Sequence, residues 1–118
     1  MARKLSKLNI STELITEAAM APHINKIDAA LVGADVILKN GNVVNKTGSL
    51  TLAVLCKSHS IPFYVAADKQ KFSYTNKFDQ KEMPPEEIWR QSNPNIKITN
   101  FYFEEINKKL ITKIFIDK

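Results

Sequence analysis

The stretch VGADVILKNGNVVNKTG, Val32 to Gly48, decides how this chain is read. One apolar run stops at a glycine and an aspartate, and a second stops at Asn40-Gly41. An Asn-Lys pair then leads into a further segment. The chain has only three glycines, so their placement here beside an acid needs a physical reason. Small residues at a strand end let a backbone or a ligand approach closely. An aspartate at such a point can accept from hydroxyls, or exchange a proton if burial raises its pKa. It can equally cap the next turn, and spacing alone leans towards the cap.

Working outward, Ala29 to Val32 (AALV) reads as a short strand buried on both faces, and Val36 to Leu38 as a second apolar run before the Asn40-Gly41 turn. Thr47 to Ser58 reads as a helix with Thr47 at its N-cap. Its core stripe is Leu50, Ala53 and Val54, with Leu52, Leu55 and Cys56 alongside. Ile61 to Ala67 (IPFYVAA), rich in aromatic and β-branched residues, is the clearest strand. Leu110 to Ile116 is a final strand, with Ile111 and Phe115 on the face opposite Leu110 and Ile114. Ala2 to Leu8 reads as the end of a helix, Thr12 to Thr16 as a short strand, Glu17 to Asn25 as helical, and Ile96 to Ile98 as a short strand. Asp68 to Pro85 is polar and irregular, and Trp89 reads as a packing anchor. Strands alternating with helices predict an α/β domain, a mainly parallel sheet with helices on both faces. Ligands in such sheets bind beyond the carboxyl ends of the strands. Asp35, Asn45, Lys46 and Lys71 all fall at such ends or at the helix start.

The whole chain has 118 residues, 44% of them hydrophobic and 25% charged, which suits one ordinary globular domain over residues 1–118. No apolar run approaches the roughly 18 residues of a membrane span. The lone Cys56 excludes an intramolecular disulfide, and a reducing cytoplasm is expected. The formal charge of +5 comes almost entirely from scattered lysines without an arginine cluster. That pattern favours a skewed composition over direct nucleic-acid binding. Two distant histidines, His23 and His59, and one cysteine do not make a metal site, and Cys56 on an apolar helix face reads as core. No cofactor is expected.

Asn45-Lys46-Thr47-Gly48 reads as a helix opening, where backbone amides favour an anion and a lysine adds a mobile charge. The glycines of a phosphate-binding P-loop are missing before the lysine. Ordinary capping beside a solvated lysine accounts for the pattern equally well.

Taken in order, GAD, the NG turn, VxNKxG, LAxLxKxHxIPFYVAA and KFS resemble one family. It unites the alpha, beta and delta regulatory subunits of translation initiation factor 2B with ribose-1,5-bisphosphate isomerase and methylthioribose-1-phosphate isomerase. The likeness is strong from Asp28 to Ser73 and looser through NFYFEEI and the last strand. It implies a Rossmann-like three-layer domain of the C-terminal type, without the family's N-terminal helical domain. It further implies Asp35 as the general acid-base residue, with Asn45, Lys46 and Lys71 on the phosphate or sugar of a substrate. Partners implied are a second copy, initiation-factor subunits, and a sugar phosphate or nucleotide-derived ligand. The resemblance places the isomerases' catalytic cysteine outside this sequence, so the chain is expected not to isomerise a sugar by itself. A rival expectation is a regulatory subunit acting through protein contacts. The Thr-Pro-Pro turn usual after the YF-acid motif is replaced here by Glu105-Ile106-Asn107-Lys108.

Overall fold

A computed structural model describes residues 1–117. The fold is α/β, built from two three-stranded sheets whose strands interleave along the chain, with one ten-residue helix between the third and fourth strands. Strands β1 (Ala30–Val32), β4 (Phe63–Asp68) and β6 (Lys113–Asp117) form a parallel sheet in the order β1-β4-β6. Strands β2 (Val36–Ile37), β3 (Val43–Lys46) and β5 (Phe103–Ile106) form an antiparallel sheet in the order β2-β3-β5. Helix α1 spans Ala2–Lys7, α2 spans Met20–His23 between two 3-10 turns, and α3 spans Ser49–Ser58. Among the described residues no helix is long and apolar enough to cross a membrane.

The parallel sheet follows the sequence closely. Phe63 and Val65 alternate with Tyr64 and Ala66, and the first pair is buried while Ala66 is exposed. Val65 lies between Val32 on β1 and Ile114 on β6. Phe63, Val65, Ala30, Ile24, Ala53, Cys56, Ile37, Val43 and Ile106 form one buried cluster drawn from both sheets, α3 and the turn after α2. Each fully buried large side chain there contributes about 1.5–3 kcal/mol of transfer free energy.

The antiparallel sheet is the unforeseen part. The Val36 and Val43 runs pair as a hairpin, Val36 opposite Val44 and Ile37 opposite Val43. Leu38 N–H donates to Asn42 O, and Gly41 N–H donates to Leu38 O. This is a three-residue loop in which Gly41, at φ +90°, takes the left-handed position that glycine fills without strain. β5, which reading the residues did not isolate as a strand, pairs with β3 over Val43 to Lys46. Asn107 then replaces the missing Pro-Pro turn: its Oδ1 accepts from Lys109 N–H and starts a 3-10 turn that leads into β6.

Several expectations are corrected. Thr12 to Thr16 forms no strand, and Leu14 is 86% exposed. Leu31, in the middle of β1, is 66% exposed, so the AALV run is not buried on both faces. Thr47 is not the helix cap, because α3 begins at Ser49 with Gly48 as N-cap. Val54 turns outward, and the buried positions of α3 are Ala53 and Cys56. Ile96 to Ile98 forms no strand, and Trp89 is exposed rather than anchored. Helices were expected on both faces of the parallel sheet. α3 packs against β1 and β4, and Leu31 and Phe115 on the other face are exposed.

Candidate functional site

Gly33 and Ala34 carry the chain out of β1, and Asp35 follows at the strand's carboxyl end. Gly33 does not need to be glycine for space or backbone angle. A Cβ there would lie 4.0 Å from its nearest neighbour, the Ala66 carbonyl oxygen. Asp35 N–H donates to Val44 O at 2.9 Å, which ties the acid to the start of the hairpin. Its side chain is half-buried and, among the described residues, makes no hydrogen bond. The capping alternative for Asp35 therefore finds no bond to support it.

Register sets the neighbours. Val36 faces Val44, so Asp35 is level with Asn45 on β3, and Asn45 faces Glu104 on β5. Alternation along the strands puts these three on the same face as Ile37, Val43 and Ile106, the face of this sheet that joins the shared core cluster. Asn45 and Lys46 end β3 and are not part of the helix, which the sequence had placed directly beside them. Asn45 Nδ2 donates to Ser49 Oγ at 2.9 Å, linking the strand end to the first residue of α3.

Lys46 lies on the opposite face. Its Nζ sits 4.4 Å from the Phe103 ring centroid and 5.1 Å from that of Tyr102. The structure thus brings Asp35 and Asn45 together and holds the Lys46 ammonium away from them. Lys71 ends the 3-10 turn after β4, a turn capped by Asp68 accepting from Gln70 N–H at 2.8 Å. Ile37 forms a parallel bridge with Phe72, and Ser73 N–H donates to Ile37 O at 2.8 Å. That pairing sets exposed Lys71 beside Val36, one residue from Asp35.

The residue that sequence reading missed is Glu104. Its Oε1 accepts from Gly48 N–H at 2.8 Å and Leu50 N–H at 2.7 Å, the free amides at the start of α3. The acid of the YF-acid motif was its only signal. The bond spans more than fifty residues, and no local pattern encodes it. The helix start expected to receive an anion is thus already occupied by the protein's own carboxylate. Further out, Tyr102 donates from its hydroxyl to Glu87, and Asn100 Nδ2 donates to Glu87 Oε2 at 3.0 Å and Pro84 O at 2.9 Å. The bond to Glu87, with some burial, raises the Tyr102 pKa.

Cys56 is fully buried, and burial raises its thiol pKa, so it is core rather than nucleophile. His59 Nδ1 and Leu55 O lie 3.0 Å apart, and His23 Nδ1 and Ala19 O 2.9 Å, which gives both rings structural roles. Among the described residues no group of three or more His, Cys, Asp or Glu could hold a metal ion.

Comparison with known proteins agrees with this architecture. The family model described as the initiation factor 2 subunit family matches residues 1–118. A translation initiation factor eIF-2B subunit 2-like protein of Pyrococcus horikoshii is 39% identical, over 88% of this chain and 37% of its own length. The ribose 1,5-bisphosphate isomerase of Archaeoglobus fulgidus is 34% identical, over 86% of this chain and 34% of its own. The crystal structure of 5-methylthioribose 1-phosphate isomerase from Pyrococcus horikoshii superposes with a TM-score of 0.83 at 30% identity. That superposition covers 97% of this chain and 35% of the other. The chain therefore spans little more than a third of each of these relatives. On the family match and the shared fold together, this chain belongs to the initiation factor 2 subunit family.

Proposed function

We propose that the chain carries one part of a sugar-phosphate site of the aldose–ketose isomerase kind, nearest to the ribose 1,5-bisphosphate branch. The observation that supports this reading best is Asp35. It is a half-buried carboxylate with no hydrogen bond among the described residues, level with Asn45 beyond the carboxyl end of a parallel strand. Opening an aldose phosphate and moving a proton between C2 and C1 needs such a group to take the proton and return it. Asn45 holds a hydroxyl, and Lys71 offers a cation one residue along from the acid. Lys46 joins this set by leaving its two rings. An exposed cation–π contact holds it by only about 0.5–1 kcal/mol, less than the ~1.5–3 kcal/mol of a hydrogen bond to a charged phosphate. The catalytic cysteine lies outside this stretch on this reading, so the chain binds without turning over.

Isothermal titration with ribose 1,5-bisphosphate tests the proposal. Binding is expected for the wild-type chain, weaker for Lys46→Ala and Lys71→Ala, and changed in pH dependence for Asp35→Asn. Heat that is identical across all four proteins would remove the site assignment.

The exposed Leu31 and Phe115 favour a second reading, a regulatory subunit of initiation factor 2B working through protein contacts. Co-purification with an initiation-factor subunit, unaffected by Lys46→Ala, would support it over the first. Either reading places the chain in the cytoplasm, paired with a second copy. A monomer mass independent of concentration in sedimentation would count against that pairing.

A further inference from the structure

The start of α3 is organised around carboxylates. Glu104 Oε1 takes the amides of Gly48 and Leu50 at 2.8 and 2.7 Å, from a half-buried position on β5. Glu17 stands close by, since a Cβ on Gly48 would lie 2.9 Å from Glu17 Oε1. The neighbouring polar groups are also engaged. Thr47 donates from its hydroxyl to Phe101 O at 2.7 Å, and Thr47 N–H donates to Tyr102 O at 2.8 Å. Ser49 Oγ accepts from Asn45.

We infer that Glu104 is a positioning and specificity-determining residue that fixes the Thr47–Leu50 turn against β5 and excludes phosphate from the amino end of α3. A phosphate reaching those amides would have to break two charge-assisted bonds and lie against two carboxylates. The nearby lysine does not offset this: its ammonium rests over Phe103 and Tyr102, and on moving off them to meet a phosphate it still leaves both Glu104 bonds in place. A phosphate held by this chain is therefore kept off the helix start. The inference deepens the sugar-phosphate reading without depending on it, because its test uses inorganic phosphate alone.

The measurement is a titration of the 118-residue chain with inorganic phosphate at constant ionic strength, with chloride as control. It is followed through the Gly48 and Leu50 amide resonances in proton–nitrogen correlation spectra. In the wild type both resonances are expected to stay fixed. In Glu104→Ala they should move saturably, with an apparent phosphate affinity about tenfold or more above the wild type. Glu104→Gln keeps an uncharged acceptor in place and should respond in between. That variant decides the matter if the alanine protein does not fold. Wild-type amides that titrate as readily as those of the variants would overturn the inference. So would amides that fail to respond in either variant. A sugar phosphate that does not bind leaves this result untouched.

Discussion

Gly48 is the glycine whose replacement should cost most, and the structure separates the two reasons. Its backbone stands at φ +107° and ψ −26°, and a Cβ would approach Glu17 Oε1 to 2.9 Å. An L-residue held in so sparsely populated a region costs roughly 1–3 kcal/mol. The contact with Glu17 is cheaper, because that side chain is exposed and only its far end is touched. Turning it aside costs about 0.5–1 kcal/mol. Alanine also narrows the unfolded ensemble, which returns ~0.4–1 kcal/mol. The net expectation for Gly48→Ala is a loss of about 1–3 kcal/mol, read as a lower urea midpoint at unchanged slope. Backbone strain dominates this sum, so adding Glu17→Ala should recover no more than about 1 kcal/mol. Gly48→Asn, which tolerates positive φ better, should cost less than Gly48→Ala. If Glu17→Ala restored the full loss, or asparagine were as harmful as alanine, the strain argument would be wrong.

Two further outcomes follow from burial and protonation. Phe63→Ala empties the centre of the shared cluster, where Phe63 is 1% exposed, and should cost about 3–5 kcal/mol in chemical denaturation. The same substitution at exposed Phe72, 52% exposed, serves as the control and should stay within about 0.5 kcal/mol. Stability should also fall in alkali. Tyr102 and Cys56 both hold their protons more tightly folded than unfolded, Tyr102 through its bond to Glu87 and Cys56 through burial. Above the ordinary thiol and phenol values the unfolded chain releases protons first, and deprotonation then favours unfolding. Their contribution is complete below about pH 8 and is lost as pH rises through 9 and beyond 10. Urea midpoints taken from pH 7 to 11 should decline, and Tyr102→Phe should flatten the upper part of that decline.

The parts of the fold that were legible in the sequence are those fixed by local pattern. IPFYVAA alternates, SLTLAVLCKS has helical length, and Asn40-Gly41 marks a turn, and each appears close to where it was expected. Long-range pairing was not legible. The short runs Val36 to Leu38 and Val43 to Lys46, joined by a tight turn, can pair with each other only antiparallel, but nothing in their composition shows that they leave the parallel sheet for a second one. β5, nearly sixty residues later, completes that second sheet by pairing antiparallel with β3. The site divides in the same way. Asp35 could be found because it ends an apolar run, and Asn45 because it precedes a helix. Whether Lys46 joins them depends on strand alternation, which turned its side chain to the far face once Asn45 and Lys46 proved to lie on a strand rather than a helix. Glu104 reads locally as one acid of a pair, and its partners are amides, which no side-chain pattern reveals.

The failed expectation at β1 carries a physical message of its own. AALV has the composition of a strand covered on both faces, yet it is an edge strand with Leu31 66% exposed. On the same face, Tyr64 is opposite Leu31 and stacks edge-on against Phe115, itself 46% exposed. Tyr64 and Phe115 cover part of each other, while Leu31, two strands away from β6, stays mostly exposed. An apolar face of this kind is stabilised by whatever excludes water from it, at about 25 cal/mol for each square ångström covered. A second copy of this chain is the cover proposed here. Its docking would raise the stability measured at high protein concentration above that at low concentration. Leu31→Lys should remove that concentration dependence while leaving the dilute chain within about 0.5 kcal/mol of the wild type, since the residue it replaces is already in water. A concentration dependence that survived Leu31→Lys would place the contact elsewhere and return β1 to the status of an ordinary exposed edge.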